Sequence, residues 1–296
     1  MRALASAIGH DTQLRARRGL AIYFAVLVPL SAVFEGLMIV GNPSWLWGLV
    51  WVLMWTPAAA SAVARLILRE GFADVSFRIG GSRGWKAIVL ALMFPIVIAF
   101  ISYGIAWATG LVSFSPRPLH FTGPFIGEGA SPVVVFLINL GAASTFLTVF
   151  SLLTAAGEEI GWRGYMLTRL IDAGVPSPVL VSGLIWGLGH VPLILGGVYL
   201  TGPPILSTPL FMVVVIAFSF VFARLRLETG SVWPAITLHA TWNSVIQFAF
   251  DPASTGPGAT LWVGESGILV ALTMIVAAII FMGGRWTMRR APESGP

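Results

Sequence analysis

The chain has 296 residues, of which 57% are hydrophobic and only 10% are charged. Soluble domains carry about a quarter charged residues, so this composition excludes an ordinary soluble domain and predicts one polytopic membrane protein. The absence of cysteine excludes disulfides, thiolate metal sites and a cysteine nucleophile. The net charge of +5 does not gather into a basic face on a folded domain, so no nucleic-acid partner is predicted.

Eight apolar segments are long enough to span a bilayer, which requires roughly 20 residues in a helix. In chain order they cover about 20–40, 44–64, 87–109, 133–156, 178–196, 205–223, 231–250 and 266–284, and the fourth continues as helix to about 170. The connection over residues 69–86 mixes charged and aromatic residues, which leaves a short interfacial helix and a loop as alternatives. The fold predicted from the sequence is an all-α integral membrane protein, a bundle of eight transmembrane helices.

Basic residues alternate between the two sides of the predicted bundle. Of the 17 Lys and Arg residues, 16 fall within residues 2–18, 65–86, 163–169, 224–226 and 285–290, whereas only Arg117 falls on the other side. Because cytoplasmic loops are enriched in Lys and Arg, both termini are predicted to be cytoplasmic. The predicted organisation is a cytoplasmic tail over residues 1–19, a transmembrane bundle over 20–284 and a cytoplasmic tail over 285–296.

Ionisable side chains interrupt the apolar segments at a few positions. They are Glu35, Glu158, Glu159, Arg163, His190 and His239. A charged side chain at the bilayer centre costs roughly 3 kcal/mol on insertion scales, so an intramembrane ionisable residue is a functional candidate by default. Glu159 and Arg163 are four residues apart on one helix face and are predicted to form an ion pair. Glu35 stands alone near the outer end of the first segment and is predicted to be an interhelical hydrogen-bond partner.

Helix geometry places three of these side chains at one depth. Glu158 lies about 16 Å from the predicted cytoplasmic end of its helix, at ~1.5 Å per residue. On the same scale, His190 lies about 18 Å and His239 about 16 Å from the corresponding ends of their helices. Asn243 shares a helix face with His239, and Pro192 is predicted to bend the fifth helix at His190. We therefore expect a polar site inside the bundle, in a water-filled cavity open to the cytoplasm.

Two chemical interpretations fit this residue set. A carboxylate with a neutral imidazole can hold and deprotonate water, while a second histidine with an asparagine can donate hydrogen bonds to a developing oxyanion. Alternatively, Glu158, His190 and His239 are similar to a catalytic zinc set with an open coordination position. Either arrangement hydrolyses an amide, so the cofactor is either a divalent metal such as zinc or none.

Three motifs in order resemble those of the CPBP family, which comprises CAAX proteases and bacteriocin-processing intramembrane proteases. EEIGWRG resembles its EExxxR motif, WGLGHVPL resembles its second motif, with Trp186 at a position that is often Phe, and HATWN resembles its HxxxN motif. The resemblance covers about residues 135–245 and implies an eight-helix bundle with a protease core over about 133–250. It also implies that Glu159 and Arg163, in the first motif, form a pair that shapes the site.

The same resemblance implies roles for the other candidates. Glu158 would be the general base and would hold the attacking water with His190, while His239 and Asn243 would stabilise the oxyanion. The implied activity is that of an integral-membrane endopeptidase, glutamate-dependent or metal-dependent, whose partners are the lipid bilayer and a membrane protein or peptide substrate.

Composition also bears on the location and the substrate. A chain with 16 Arg and 1 Lys is typical of a GC-rich bacterial genome, which predicts a multi-pass protein of the inner, cytoplasmic membrane. In eukaryotic members of the family the substrate is a prenylated CAAX protein. Bacteria generally lack that prenylation, so the substrate and its cleavage site are not predicted.

The residues alone leave functions of other classes open. The buried carboxylate and histidines could relay protons in a proton-coupled or ion-binding transporter, although the internal repeats that many transporters contain are not evident. An inactive protease-like scaffold is a third alternative. The chain has no HExxH motif. Ser266, in a rhomboid-like GESG sequence, falls at the opposite end of the bundle from the predicted site.

Overall fold

The computed structural model describes residues 2–41, 43–200 and 202–283, and side chains from residue 10 onward except at position 43. The long helices, in chain order, are α1 Arg2–Val40, α2 Leu46–Leu68, α3 Gly81–Ala108, α4 Pro132–Asp172, α5 Pro178–Leu195, α6 Pro204–Thr229, α7 Trp233–Val245 and α8 Ile268–Met282. Proline is the first residue of α4, α5 and α6. At this position a backbone N–H has no acceptor within the helix, so proline removes no hydrogen bond.

Three of these helices depart from regular α-geometry. π-Helical turns at Ala143–Leu147 and Trp162–Met166 lie within α4, and a third at Ile246–Phe250 extends α7. α5 is interrupted between Leu188 and Val191. The predicted bend at His190 is therefore present, because Pro192 cannot continue the hydrogen-bonding of the preceding turn.

Short elements connect the helices. 3₁₀ turns occupy Pro43–Trp45, Ala73–Val75 and Gly123–Phe125, and a one-turn helix covers Ala259–Trp262. Strand β1, Ser113–Phe114, pairs antiparallel with β2, Ser254–Thr255. Of the two alternatives for residues 69–86, the structure shows a loop that contains a single 3₁₀ turn before α3 begins at Gly81.

Six helices, α1 to α6, are long and apolar enough to cross a membrane. The prediction of an all-α, multi-pass membrane protein is therefore confirmed. α7 and α8 are shorter, at 13 and 15 residues, so the count of eight spans stays a prediction. The predicted N-terminal tail, residues 1–19, is helical from Arg2 onward as part of α1. The predicted C-terminal tail, residues 285–296, lies outside the described residues.

Ion pairs fold the connection after α2 onto one end of the bundle. Arg65 is fully buried, pairs with Asp74 and donates to the backbone carbonyl oxygen of Gly164 in α4. Arg169, near the end of α4, pairs with Glu70 at 2.7 Å and with Asp74 at 3.1 Å. These charges satisfy one another, so the loop is fixed to α4 by electrostatics as well as by packing.

Basic residues from distant parts of the chain meet at this same end. Arg15 of α1 binds Glu70, and Arg226 of α6 donates to the backbone oxygen of Asp74. Arg224 donates to the carbonyl oxygen of Gly283 beyond α8. We call this end, formed by residues 15, 65–86, 169, 224–226 and 283, the basic end. Its existence agrees with the charge alternation in the sequence, and its cytoplasmic location stays a prediction.

The opposite end is formed by the other connections, and we call it the far end (residues 110–131, 196–200, 202–203 and 251–267). The β1–β2 pair joins two of these connections. Trp107 donates its indole N–H to Ser254, and Tyr199 donates to Glu265. Hydrogen bonds between side chains therefore tie α3 and the loop before α6 to the long connection that precedes α8.

Candidate active site

The glutamates of the first motif lie on α4 where that helix packs closely against α2. Gly157 and Gly161 flank them, one helical turn apart. A Cβ atom on Gly157 would lie 2.6 Å from the carbonyl oxygen of Met54, and one on Gly161 would lie 2.3 Å from the Cβ of Pro57. Small residues at this spacing let two helix backbones approach within a membrane. The glycines therefore set the position of Glu158 relative to α2.

Glu158 is held by two tryptophans. Its Oε2 atom accepts hydrogen bonds from the indole Nε1 of Trp162 at 3.0 Å and from the indole Nε1 of Trp186 at 3.0 Å. Trp162 is the next residue on the same face of α4, whereas Trp186 comes from α5. An indole N–H is only a donor, so Oε2 is the acceptor in both contacts and the carboxyl group is held in a fixed orientation.

Glu159 points to a different set of partners. Its Oε1 accepts from Arg163 Nη1 at 2.8 Å, as the spacing of four residues predicts, and from His239 Nδ1 at 2.8 Å. Glu159 is fully buried, and its Oε2 has no hydrogen-bond partner among the described residues. The Arg163 guanidinium lies between the rings of Trp186 and Phe222, at 4.2 and 4.0 Å from their centroids. The pair is thus a buried salt bridge that also orients His239.

His190 occupies the break in α5. Its Nδ1 lies 2.9 Å from the backbone oxygen of Trp186. A carbonyl oxygen accepts only, so Nδ1 carries a proton, and a neutral ring leaves Nε2 as an acceptor. The ring also packs against Tyr199 and Phe211, at centroid distances of 5.3 and 5.2 Å. These contacts fix the ring plane.

Trp186 connects the separate parts of the site. Its ring lies 6.1 Å from the His190 ring and 5.6 Å from the His239 ring, and its N–H binds Glu158. Glu158, His190, His239 and Asn243 all line a single cavity of about 1110 Å³. The structure therefore brings together the side chains for which helix geometry predicts a common depth. Glu159 and Arg163 lie behind this cavity wall.

The cavity occupies the half of the bundle away from the basic end. Its lining comes from residues 24–38 of α1, 46–57 of α2, 211–218 of α6 and the far-end segments 198–200, 202 and 251–266. A cytoplasmic basic end and a cavity open to the cytoplasm are therefore mutually exclusive in this structure. The cytoplasmic opening therefore stays a prediction that conflicts with the predicted cytoplasmic location of the basic end.

Residues 140–245 of the chain match the family model described as type II CAAX prenyl endopeptidase Rce1-like. This match supports membership of the CPBP family. The matched region runs from within α4 to the end of α7 and includes the three motifs. No curated protein gives a significant match to the chain. The same match supports a CAAX-type intramembrane protease.

The residues of the three motifs do not form a metal site in this structure. Across residues 10–283 as described, no three His, Asp or Glu side chains stand in a group that could hold a metal ion. Glu158, His190 and His239, which would be the ligands if a metal were used, line the cavity without forming such a group. We therefore derive no catalytic step through a metal.

Several side chains at the candidate site were not among the sequence candidates. Trp162 lies in the first motif, four residues after Glu158, and that spacing was a usable signal. Glu265 accepts hydrogen bonds from Trp242 at 3.0 Å and from Tyr199 at 2.5 Å, and lines the same cavity. Burial, followed by the neighbouring Glu265 carboxylate, raises the pKa of Tyr199 well above its ordinary value. No local pattern in the sequence connects Glu265 with residues so distant along the chain.

Asp251 is a further carboxyl group in the cavity lining. It lies just beyond the π-helical turn that extends α7, and its Oδ1 accepts from the hydroxyl of Tyr103 at 2.5 Å. Burial raises the pKa of the Asp251 carboxyl from 3.8 to about 7. This group therefore changes charge close to neutral pH.

Proposed function

We propose that the chain is an intramembrane endopeptidase that hydrolyses a peptide bond in a membrane-associated protein or peptide. The observation that carries the proposal is the Glu158 carboxylate. Two indole N–H groups fix it at the wall of a cavity that His190 and His239 also line. A carboxylate that is buried, oriented and next to space for water and substrate has the attributes of a general base.

In the proposed reaction a water molecule lies between Glu158 and Nε2 of His190. Glu158 takes one proton from this water while the water oxygen bonds to the carbonyl carbon of the substrate. When the C–N bond breaks, the proton on Glu158 passes to the leaving nitrogen, so the base is restored as the amine departs. His190 accepts the other O–H of the water and thereby orients its lone pair.

The oxyanion formed by this attack needs donors. Asn243, one turn from His239 on α7, offers its side-chain N–H groups to the cavity. His239 uses Nδ1–H on Glu159, so it donates to the oxyanion only when Nε2 is also protonated. The Glu159–Arg163 pair acts indirectly, because it holds the ring of His239 in place.

We further propose that cleavage takes place between the middle of the bundle and the far end, in a multi-pass protein of the inner membrane. The cavity lining supports this position. The chemistry of the cavity determines which substrate is cleaved, and the substrate need not be a prenylated protein.

The proposal is tested with Glu158→Gln, which keeps an oxygen for the tryptophan N–H groups but cannot act as a base. Membrane proteomes of cells that carry native protein or this variant should differ in one or a few cleaved proteins. Glu128→Gln, at an exposed far-end position, is the matched control and should behave as native. His190→Ala should also abolish cleavage, with the exposed His120→Ala as its control.

Identical proteomes for native protein and Glu158→Gln, with both proteins folded and present in equal amounts, would refute the peptidase assignment. Loss of a proton or ion flux in that same variant would instead favour the transporter alternative.

A further inference from the structure

Glu35 of α1 faces the cavity without a partner. It is only 8% exposed and lines the cavity. The sequence predicts an interhelical hydrogen bond here, but within the described part of the chain no donor or cation binds its carboxyl group, so that prediction is wrong. α1 also lies outside the region that matches the family model. The family motifs therefore do not explain this residue.

The ionisable residues that line the cavity are strongly biased towards acidic side chains. Glu35, Glu158, Asp251 and Glu265 line it, whereas no Lys or Arg does so among the described residues. Glu158, Asp251 and Glu265 already accept hydrogen bonds from tryptophan or tyrosine side chains. Glu35 is thus the one lining carboxyl group of the described chain whose hydrogen-bonding capacity is unused. A buried carboxylate without a partner is unfavourable until a cation or donor reaches it.

The cavity that Glu35 lines has an apolar wall that borders the surface that lipid would cover. Val28 of α1, Trp47 of α2 and Leu188 of α5 all line the cavity and are 60%, 69% and 59% exposed. A ligand that suits this environment has an aliphatic body and one positive group. Lys and Arg side chains have that construction, with an apolar stem and a charged head.

We propose that the cavity binds a membrane-embedded peptide segment through a basic side chain that pairs with Glu35. This inference rests on the proposed function, because it takes the ligand to be the peptide substrate. Like charges repel, so the same cavity disfavours an acidic side chain or a free C-terminal carboxylate at this position. Glu35 acts here as a specificity residue and takes no part in bond cleavage.

The test measures binding of three dye-labelled hydrophobic peptides that differ at one central position, Lys, Gln or Glu. The native protein is held in phosphatidylcholine nanodiscs, and affinity is measured by fluorescence anisotropy. We expect the Lys peptide to bind about tenfold more tightly than the Gln peptide, a difference of about 1.4 kcal/mol. We expect the Glu peptide to bind most weakly.

Variants then assign the preference to one residue. Glu35→Gln should bind the Lys and Gln peptides equally, whereas Glu35→Asp, which keeps the charge, should retain the preference. Glu228→Gln, at a half-exposed position of the basic end, is the matched control and should behave as native. Retention of the preference by Glu35→Asp also excludes misfolding as the cause of any loss at this position.

Equal binding of all three peptides to the native protein, or a Lys preference that survives Glu35→Gln, would overturn the proposal. So would displacement of the Lys peptide by phosphatidylethanolamine in the nanodiscs, since the occupant would then be a headgroup amine. The proteome comparison with Glu158→Gln is a separate measurement. A Lys preference without any cleavage would refute the peptidase and leave the Glu35 site in place.

Discussion

Replacement of Arg163 by alanine tests the buried ion pair behind the cavity. Arg163 and Glu159 are 1% and 0% exposed, and their atoms Nη1 and Oε1 are 2.8 Å apart. The variant removes the cation and leaves Glu159 with a single described donor, His239. Glu159 Oε2 already lacks a described partner, so no second contact can compensate for the loss.

The magnitude follows from the burial. Removal of one partner from a buried ion pair costs about 3–5 kcal/mol, because the remaining charge is uncompensated. The Arg163 guanidinium also lies 4.2 Å from the ring centroid of Trp186 and 4.0 Å from that of Phe222. Such contacts contribute up to ~2 kcal/mol each when they are desolvated. We therefore expect a loss of at least about 4 kcal/mol, which lowers the melting temperature by on the order of 10 °C.

The assay is thermal unfolding in detergent, followed by tryptophan fluorescence. Glu228→Gln is the matched control, because Glu228 is 50% exposed and pairs with Arg224 at the same spacing of four residues. Exposed pairs contribute roughly 0–1 kcal/mol, so this control should unfold close to the native temperature. The double variant Glu159→Gln with Arg163→Met should recover much of the loss, because neither position of the pair then carries a charge. Unfolding of Arg163→Ala within about 2 °C of native would refute this account.

Three further predictions concern the site and its orientation. Trp186→Phe keeps a ring but removes one N–H from Glu158, so kcat on an identified substrate should fall about tenfold with little change in KM. Because the Asp251 pKa is raised to about 7, the free energy of unfolding of the native protein should fall as pH rises from about 4 to 7. The decrease should be at most ~4 kcal/mol, since Asp251 is partly exposed. Asp251→Asn should flatten this pH dependence, and parallel stability curves for the native protein and the variant would contradict the prediction. The natural chain has no cysteine, so single cysteines can report which end of the bundle faces the cytoplasm. An impermeant maleimide should label Glu128→Cys, at the far end, in intact cells but Ser82→Cys, at the basic end, only after permeabilisation. The reverse pattern would place the far end in the cytoplasm.

Local geometry explains which parts of the site were predictable. Glu159 and Arg163 pair as expected because residues four apart on a helix always face one another. The common depth of Glu158, His190 and His239 follows from a constant helical rise, and these side chains do line one cavity. The break of α5 at His190 follows from the chemistry of Pro192.

The sequence by itself determined that the chain is a helical membrane protein, that its basic residues gather at one end, and which motifs carry the candidate site. Only the tertiary structure decided that the cavity lies at the far end, that Trp186 binds Glu158, and that Glu35 and Glu265 face the same space. Spacing along one helix and charge per loop are local quantities. Which faces of different helices meet depends instead on side-chain packing between segments far apart in the chain, and no periodicity encodes it.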